Sequence, residues 1–200
     1  MDDNLENMAH LSEQQKIAHR KRIKDQVDLV VENLPGPFNL IMDIGAGIAE
    51  QAREFQTRFG SEIYLIEGHR PNNVNKAAGA AKSKWQEKTE NFLYYWDLDV
   101  LKTRLEALGT TKFHLVDCEK IDIPADVKFD LICSWKSCGY HYSVDSYLDL
   151  IRRHSHTGTR IVMDIRNSKA GLRRGTGWRI VKELYSHGNK YKTCILELVD

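Results

Sequence analysis

The chain has 200 residues, of which 42% are hydrophobic, and this is enough for one domain with a sizeable core. Its formal net charge at pH 7 is only +1, so bulk electrostatics give no reason to expect a nucleic acid as partner. No apolar run is long enough to span a bilayer, and the acidic, polar start MDDNLENMAH is unlike a secretory signal.

The cysteines have no paired spacing that would indicate a metal site. Cys118, Cys133, Cys138 and Cys194 form no CxxC pair and mostly fall in or beside apolar strands. We interpret them as reduced thiols of a cytoplasmic protein, in the core or near a site, and we predict no zinc.

The first predicted element is a long helix that begins after Ser12 and ends at about residue 33. Ser12 and Gln15 have the spacing of a capping box. One face of the helix is apolar: Ile23, Val27, Val30, Val31 and Leu34. Its basic first half, QQKIAHRKRIK, could cover a ligand site, mediate a homodimer or be solvated. Pro35 ends the helix, so we divide the chain into an N-terminal helical segment, 1–36, and a single domain, 37–200.

The next segment, residues 39–50 (NLIMDIGAGIAE), has the pattern of a buried strand, a glycine turn and the start of a helix. Asp43 lies near the strand end. Gly45 and Gly47, on either side of Ala46, allow a sharp turn and a close approach of the backbone to a ligand. Such strand-turn-helix units bind nucleotides in doubly wound α/β sheets. Glu50, however, would place a carboxylate against a pyrophosphate, which favours a ligand without phosphates.

The rest of the chain alternates between helix and strand patterns. Strands are predicted at 62–66, 113–116, 129–133 and 160–165, and a closing hairpin at 178–184 and 193–199. Helices are predicted from the glycine turn to Gly60, over 97–108 and over 144–151, while 70–88 suits either helix or loop. The aromatic cluster at 92–96 suits core packing or substrate stacking. The order predicts a Rossmann-like, doubly wound, mostly parallel seven-stranded sheet that ends in an antiparallel hairpin, with helices on both faces.

In such sheets, ligands bind beyond the carboxyl ends of the strands, and polar residues follow three of these strand ends. Glu67 and Gly68 follow the second strand. Glu67 comes about 22 residues after Gly45, and in dinucleotide-binding folds an acid that binds the ribose comes ~20 residues after the glycine turn. Asp117 and Cys118 follow the third strand, and Ser134 follows the fourth.

This arrangement resembles the class I S-adenosylmethionine-dependent methyltransferases. Asp43 and the run Gly45-Ala46-Gly47-Ile48-Ala49 are similar to their motif I, D/E-x-G-x-G-x-G/A, and the resemblance covers residues 39–167. It implies S-adenosylmethionine as cofactor, with the turn around the methionine portion, Glu67 at the ribose, Asp117 at the adenine amino group and the Cys118 N–H at a ring nitrogen. The implied cofactor-binding set is Asp43, Gly45, Ala46, Gly47, Glu67, Gly68, Asp117, Cys118 and Ser134. The family usually has a helix between the fifth and sixth strands, where this chain has only the loop SKAGLRRGTG.

The residues after the fourth strand point to the methyl acceptor. The tetrapeptide D/N-P-P-Y/F of enzymes that methylate amino groups of bases is absent. Residues 137–147 resemble a segment of uncharacterised bacterial and viral methyltransferases, some assigned to sugars. We therefore expect a small-molecule acceptor, methylated on an oxygen. His141 is either its general base or a hydrogen-bonded loop histidine. Candidate substrate contacts are Trp135, Lys136, Tyr140 and Tyr142.

Other interpretations stay open at this point. The basic loop between Arg166 and Arg179 could hold an anionic substrate or be solvated. Asp164 and Asn167 only loosely echo a metal-binding pair, and Ser134 stands where such an enzyme needs an acid, so no metal is predicted. A nicotinamide-dependent oxidoreductase on a similar fold and a non-catalytic S-adenosylmethionine-binding protein are the alternative functions.

Overall fold

The computed structural model describes residues 12–34, 36–68, 98–167 and 177–199. The strands are β1 (Leu40–Ile44), β2 (Glu62–Glu67), β3 (Phe113–Asp117), β4 (Leu131–Ser134), β5 (Ser137–Tyr142), β6 (Arg160–Arg166), β7 (Trp178–Ser186) and β8 (Tyr191–Leu198). The helices are α1 (Glu13–Asn33), α2 (Glu50–Phe59), α3 (Leu98–Ala107) and, after a 3-10 turn at Val144–Tyr147, α4 (Leu148–His154). The predictions for 70–88, for the aromatics of 92–96 and for most of the basic loop fall outside the described residues.

Seven of the strands form one sheet in the order β3-β2-β1-β4-β6-β8-β7. Strands β1, β2, β3, β4 and β6 run parallel, and β8 pairs antiparallel with both β6 and β7. The predicted Rossmann-like sheet with a closing hairpin is therefore confirmed. Its strand order reverses between β1 and β4, and sheets of this kind open their ligand crevice at such a point.

Each face of the sheet has its own apolar core, because successive side chains of a strand point to opposite faces. Ile41 and Leu65 pack with Val27 of α1 and Phe55 of α2 on one face, where the buried leucines of α3 also lie. On the other face, Met42, Ile66 and Met163 pack with α4. The predicted apolar stripe of α1 thus belongs to the same core as the strands.

The ends of the helices follow the predicted signals. Ser12 caps α1 in a capping box with Gln15, and Gly60 ends α2 in a left-handed conformation. Strand β4 begins at Leu131, two residues later than predicted, because the N–H of Phe129 bonds the carbonyl of His154. Strand β5 was not predicted; it lies beside β6, outside the ladder of the sheet.

Strand β7 forms an irregular edge of the described sheet. Its pairing with β8 shifts register between Ile180 and Lys182 and again between Glu183 and Tyr185. The side chains of Val181 and Tyr185 are exposed there. None of the described helices is long and apolar enough to cross a membrane.

Candidate functional site

The glycine turn between β1 and α2 has three residues with positive φ: Gly45 (70°), Gly47 (56°) and Ala49 (55°). The amides of Gly45 and Ala46 both donate to the carbonyl of Ile66, at 2.8 and 3.1 Å, which fixes the turn against the end of β2. A Cβ added to Gly47 would meet no heavy atom within 4 Å. The turn therefore borders open space in which a ligand can approach the backbone.

Glu67 links the end of β2 to this turn. Its buried carboxylate accepts the N–H of Gly47 at 2.6 Å and the N–H of Gly68 at 2.9 Å. Burial raises the pKa of Glu67 to about 7, and the two N–H donors act in the opposite direction. Because a carboxylate has about four acceptor positions, Glu67 retains capacity for hydroxyl groups of a ligand.

Asp43, next to it on β1, is a buried acid without a matching donor. Only 1% of the residue is exposed, and the described residues offer neither oxygen an N–H or O–H group. Burial and the charge of Glu67 raise the pKa of Asp43 to about 8, against a lowering contact from the Cys133 thiol. Leaving a buried carboxyl group in this state is costly. A hydrogen-bond donor or a cation close to Asp43 would reduce this cost.

The end of β3 lies in register with the end of β2, Asp117 opposite Glu67. The Asp117 carboxylate accepts the N–H of Glu119 at 2.9 Å. The N–H of Cys118 donates to the carbonyl of Glu67 at 3.0 Å. The amide that the resemblance assigns to an adenine nitrogen is thus already bonded within the protein, whereas Asp117 lies at the expected place.

Ser134, at the end of β4, bonds to the protein rather than to the crevice. Its fully buried hydroxyl donates to the carbonyl of Ile44 at 2.7 Å and accepts the N–H of Cys138 at 2.8 Å. It therefore holds the ends of β1 and β4 together and fixes the start of β5. This geometry does not support the predicted direct contact with a cofactor.

The predicted substrate contacts next to Ser134 differ in their surroundings. Trp135 packs against the core that α1 covers. Lys136 adopts a positive φ of 53°, and its N–H donates to the Asp164 carboxylate at 3.2 Å. Its ammonium lies 5.6 Å from the ring centroid of Tyr191. Burial, together with the nearby charge of Arg22, lowers the pKa of Lys136.

The other candidates lie on β5. The ring of Tyr140 meets the ring of Tyr191 edge-on at 5.2 Å, and the guanidinium of Arg166 lies 5.3 Å from its centroid. His141 is exposed, and partial burial of its ring and the charge of Arg166 lower its pKa. The lowered pKa favours the neutral form of its imidazole. The side chain of Tyr142 lies outside the described part.

Several residues of this end of the sheet were not predicted as site residues, although Asp164 was weighed and set aside as a metal ligand. Asp164 is fully buried, accepts the Thr193 hydroxyl at 2.7 Å and has its pKa raised to about 6 by burial. His187 stacks on Tyr191 at 3.9 Å, and its Nε2 lies 3.2 Å from the Thr193 hydroxyl. Of these residues, only Asp164 could have been predicted from sequence, because it is an acid inside the apolar strand RIVMDIR.

Helix α1 lies across the start of α2. Nε2 of His19 lies 2.7 Å from the Glu50 carboxylate, and the Gln51 amide donates to Gln26 at 3.0 Å. These contacts connect the basic half of α1 to the first turn after the glycine loop. The three roles open to this half stay predictions; the contacts show that it packs against α2.

Metal and disulfide chemistry have no support in the described residues. No group of three or more histidine, cysteine or acidic side chains there could hold a metal ion. All four cysteines are free.

Scans of protein-family models and of curated proteins find no match for this chain. Among solved structures, a methyltransferase from Pyrococcus furiosus has 14% identity and a TM-score of 0.57, over 88% of this chain and 82% of that one. The ribosomal protein L11 methylase of Lactobacillus delbrueckii subsp. bulgaricus has 11% identity and a TM-score of 0.55, over 88% and 79%. A variant of MtNAS in complex with S-adenosylmethionine has 12% identity and a TM-score of 0.57, over 95% and 68%. At these identities the likeness is one of fold.

Proposed function

We propose that this chain is an S-adenosylmethionine-dependent methyltransferase that acts on a small molecule. The observation that carries the proposal is the glycine turn, which borders open space at Gly47 and whose Gly47 N–H donates to the carboxylate of Glu67. A cofactor with an amino acid portion, a ribose and no phosphate matches a turn that lies between two acids, Asp43 before it and Glu67 against it. The fold shared with solved methyltransferases supports the same conclusion.

Each acid at the strand ends has a task in this proposal. Asp43 binds the ammonium group, Glu67 accepts from the ribose hydroxyls, and Asp117 accepts from the adenine amino group. When bound, the cofactor supplies an electrophilic methyl group on its sulfonium. The chain orients that methyl group toward the acceptor and excludes water from it.

The acceptor atom is proposed to be an oxygen, for example of a sugar, with His141 as general base. Support comes from the lowered pKa of His141, which keeps its imidazole able to take a proton at neutral pH. A nicotinamide-dependent oxidoreductase is disfavoured because Glu50, in the first turn of α2, would oppose a pyrophosphate there.

Calorimetric titration of S-adenosylmethionine tests the cofactor. We expect micromolar binding by the parent chain and a loss of at least about tenfold, or 1.4 kcal/mol, in Glu67→Ala. Glu62→Ala, at the opposite end of β2, is the matched control and should bind like the parent. A folded parent without binding contradicts the proposal, and an NADH fluorescence titration then tests the oxidoreductase. Binding without methyl transfer to any of a broad acceptor panel favours the non-catalytic alternative.

A further inference from the structure

Basic side chains from three parts of the chain gather beyond the carboxyl ends of β4 and β6. Lys136 follows β4, Arg166 ends β6, and Arg22 belongs to α1. Lys136 and Arg166 thus lie at the ends of two neighbouring parallel strands, and the cofactor assignment uses none of the three cations.

Two neighbouring tyrosines hold two of these cations. The ammonium of Lys136 lies 5.6 Å from the ring centroid of Tyr191, and the guanidinium of Arg166 lies 5.3 Å from that of Tyr140. The two rings meet edge-on at 5.2 Å. Cation–π contacts of this kind fix the position of a cation without neutralising it.

Arg22 of α1, whose guanidinium lies 3.0 Å from Nδ1 of His19, adds its charge to the same cluster. Burial and then the charge of Arg22 lower the pKa of Lys136, with a further contribution from Lys190. Arg22 also contributes to the lowered pKa of His187. The cluster therefore disfavours its own charged state, which an additional anion would reverse.

The carboxylate of Asp164 does not neutralise the positive charges of Lys136, Arg166 and Arg22. Among the described residues, Asp164 is the carboxylate that favours the charged form of Lys136, and it is buried and already accepts from Thr193 and from the Lys136 N–H. In the ranges 12–34, 36–68, 98–167 and 177–199, no ion pair joins Arg22, Lys136 or Arg166 to a carboxylate. A local excess of positive charge remains.

We propose that the methyl acceptor carries a phosphate or carboxylate group, which binds at the ammonium of Lys136 beside the ring of Tyr191, with Arg22 of α1 as a second cation. This inference rests on the proposed function, and it gives the basic half of α1 a task in binding the acceptor. Charge-assisted hydrogen bonds from an ammonium and a guanidinium suit either anion.

The test is a titration followed by 15N NMR with inorganic phosphate, acetate and uncharged glycerol as probes. It is run on the free chain and on the chain with S-adenosylhomocysteine, whose own binding is recorded first. We expect saturable shifts of the Lys136 and Tyr191 amide signals with the anions but not with glycerol. Tighter phosphate assigns a phosphorylated acceptor, and tighter acetate assigns a carboxylate.

Three variants locate the binding. Lys136→Met and Arg22→Met should each weaken anion binding by roughly fivefold, the size of one partly exposed charge pair. Lys21→Met removes an equal charge from the exposed surface of α1, where Lys21 pairs with Asp25, and should have no effect. Absence of saturable shifts, or equal weakening in all three variants, would overturn the inference. Failure of S-adenosylhomocysteine to bind would instead refute the proposed function. The anion titration of the free chain would then still decide whether the anion site exists.

Discussion

Asp43 and Glu67 stand at the carboxyl ends of neighbouring parallel strands, yet their hydrogen bonding differs. Glu67 accepts two backbone N–H groups, whereas the described residues offer Asp43 neither an N–H nor an O–H. Burial and the charge of Glu67 together raise the pKa of Asp43 to about 8. This raised pKa favours the protonated form of Asp43 at neutral pH, at the position that the proposal assigns to the ammonium group of the cofactor.

Replacement of Asp43 by Asn should stabilise the chain in a pH-dependent way. The pKa of Asp43 is about 8 in the folded chain against a reference of 3.8, so its contribution to stability is full below pH 3.8 and is lost as pH rises through 8. Asn does not titrate. In thermal melts at pH 5, 7 and 9, the melting temperature of Asp43→Asn should rise relative to that of the parent until about pH 8. Each kcal/mol of relative stability corresponds to about 2–4 °C in a chain of this size.

The same variant should bind S-adenosylmethionine at least about tenfold more weakly, because it loses a charged partner for the ammonium group. Stability and binding then change in opposite directions, as is common at functional sites. Parallel melting profiles of parent and variant across this pH range would show that Asp43 is not held protonated.

Gly47→Ala should affect binding much more than stability. Gly47 has a φ of 56°, so alanine costs about 1–2 kcal/mol of backbone strain, and its methyl group enters the space that borders the turn. Gly60→Ala is the matched control, because Gly60 has a φ of 70°, open surroundings and a place at the far end of α2. We expect similar urea midpoints for both variants. Only Gly47→Ala should bind the cofactor at least about tenfold more weakly than the parent. Equal binding by the two variants would exclude a ligand at the turn.

Ser134→Ala should be destabilising without a specific effect on the cofactor. The change leaves the buried N–H of Cys138 without its acceptor and the carbonyl of Ile44 without its donor, at a cost of about 1–3 kcal/mol in urea unfolding. Ser186→Ala, on the exposed hairpin, is the control. A folded Ser134→Ala chain that binds the cofactor far more weakly would restore the direct contact predicted from sequence.

His141→Ala should lower turnover once an acceptor is identified. We expect a loss of about 100-fold or more for a general base, with parent activity falling as His141 becomes protonated below its lowered pKa. The pH profile should lose this acidic limb in the variant. Unchanged turnover would leave His141 as an exposed histidine of β5 and direct attention to His187.

Val27→Ala tests whether α1 is part of the folded unit. Val27 is fully buried, and we expect a loss of roughly 2 kcal/mol, between those of Ile→Val and Ile→Ala changes. Ile17→Ala, at a position 60% exposed on the same helix, should be near neutral. Equal urea midpoints for the two variants would mean that α1 unfolds separately from the sheet.

Much of the fold was predictable because local signals agreed with it. The capping box at Ser12, the glycine turn and the alternation of apolar segments predicted α1, β1, α2 and the sheet. Strand β5 was missed because its existence depends on a distant contact. A Cβ at Gly139 would lie 3.0 Å from the carbonyl oxygen of Asp164, so only glycine allows β5 to approach β6 this closely.

The site was predictable only where it follows directly from a strand end. Asp43 is the last but one residue of β1 and Glu67 the last of β2, and their places follow from the parallel order. Asp164 and Thr193 meet through the register of β6 with β8, which no local pattern reveals. Ser134 has the predicted position, but its hydroxyl bonds inward because the carbonyl of Ile44 faces it across the switch point.

The two register shifts in β7 limit how this molecule can associate with itself. An exposed, regular sheet edge is a template for strand addition by another chain, and bulges are one way in which proteins prevent it. With its ladder interrupted twice within nine residues, β7 offers no continuous row of amide partners to a second copy. A homodimer that continues the sheet through β7 is therefore disfavoured, which leaves the β3 edge and the helical surfaces for the pairing of two copies.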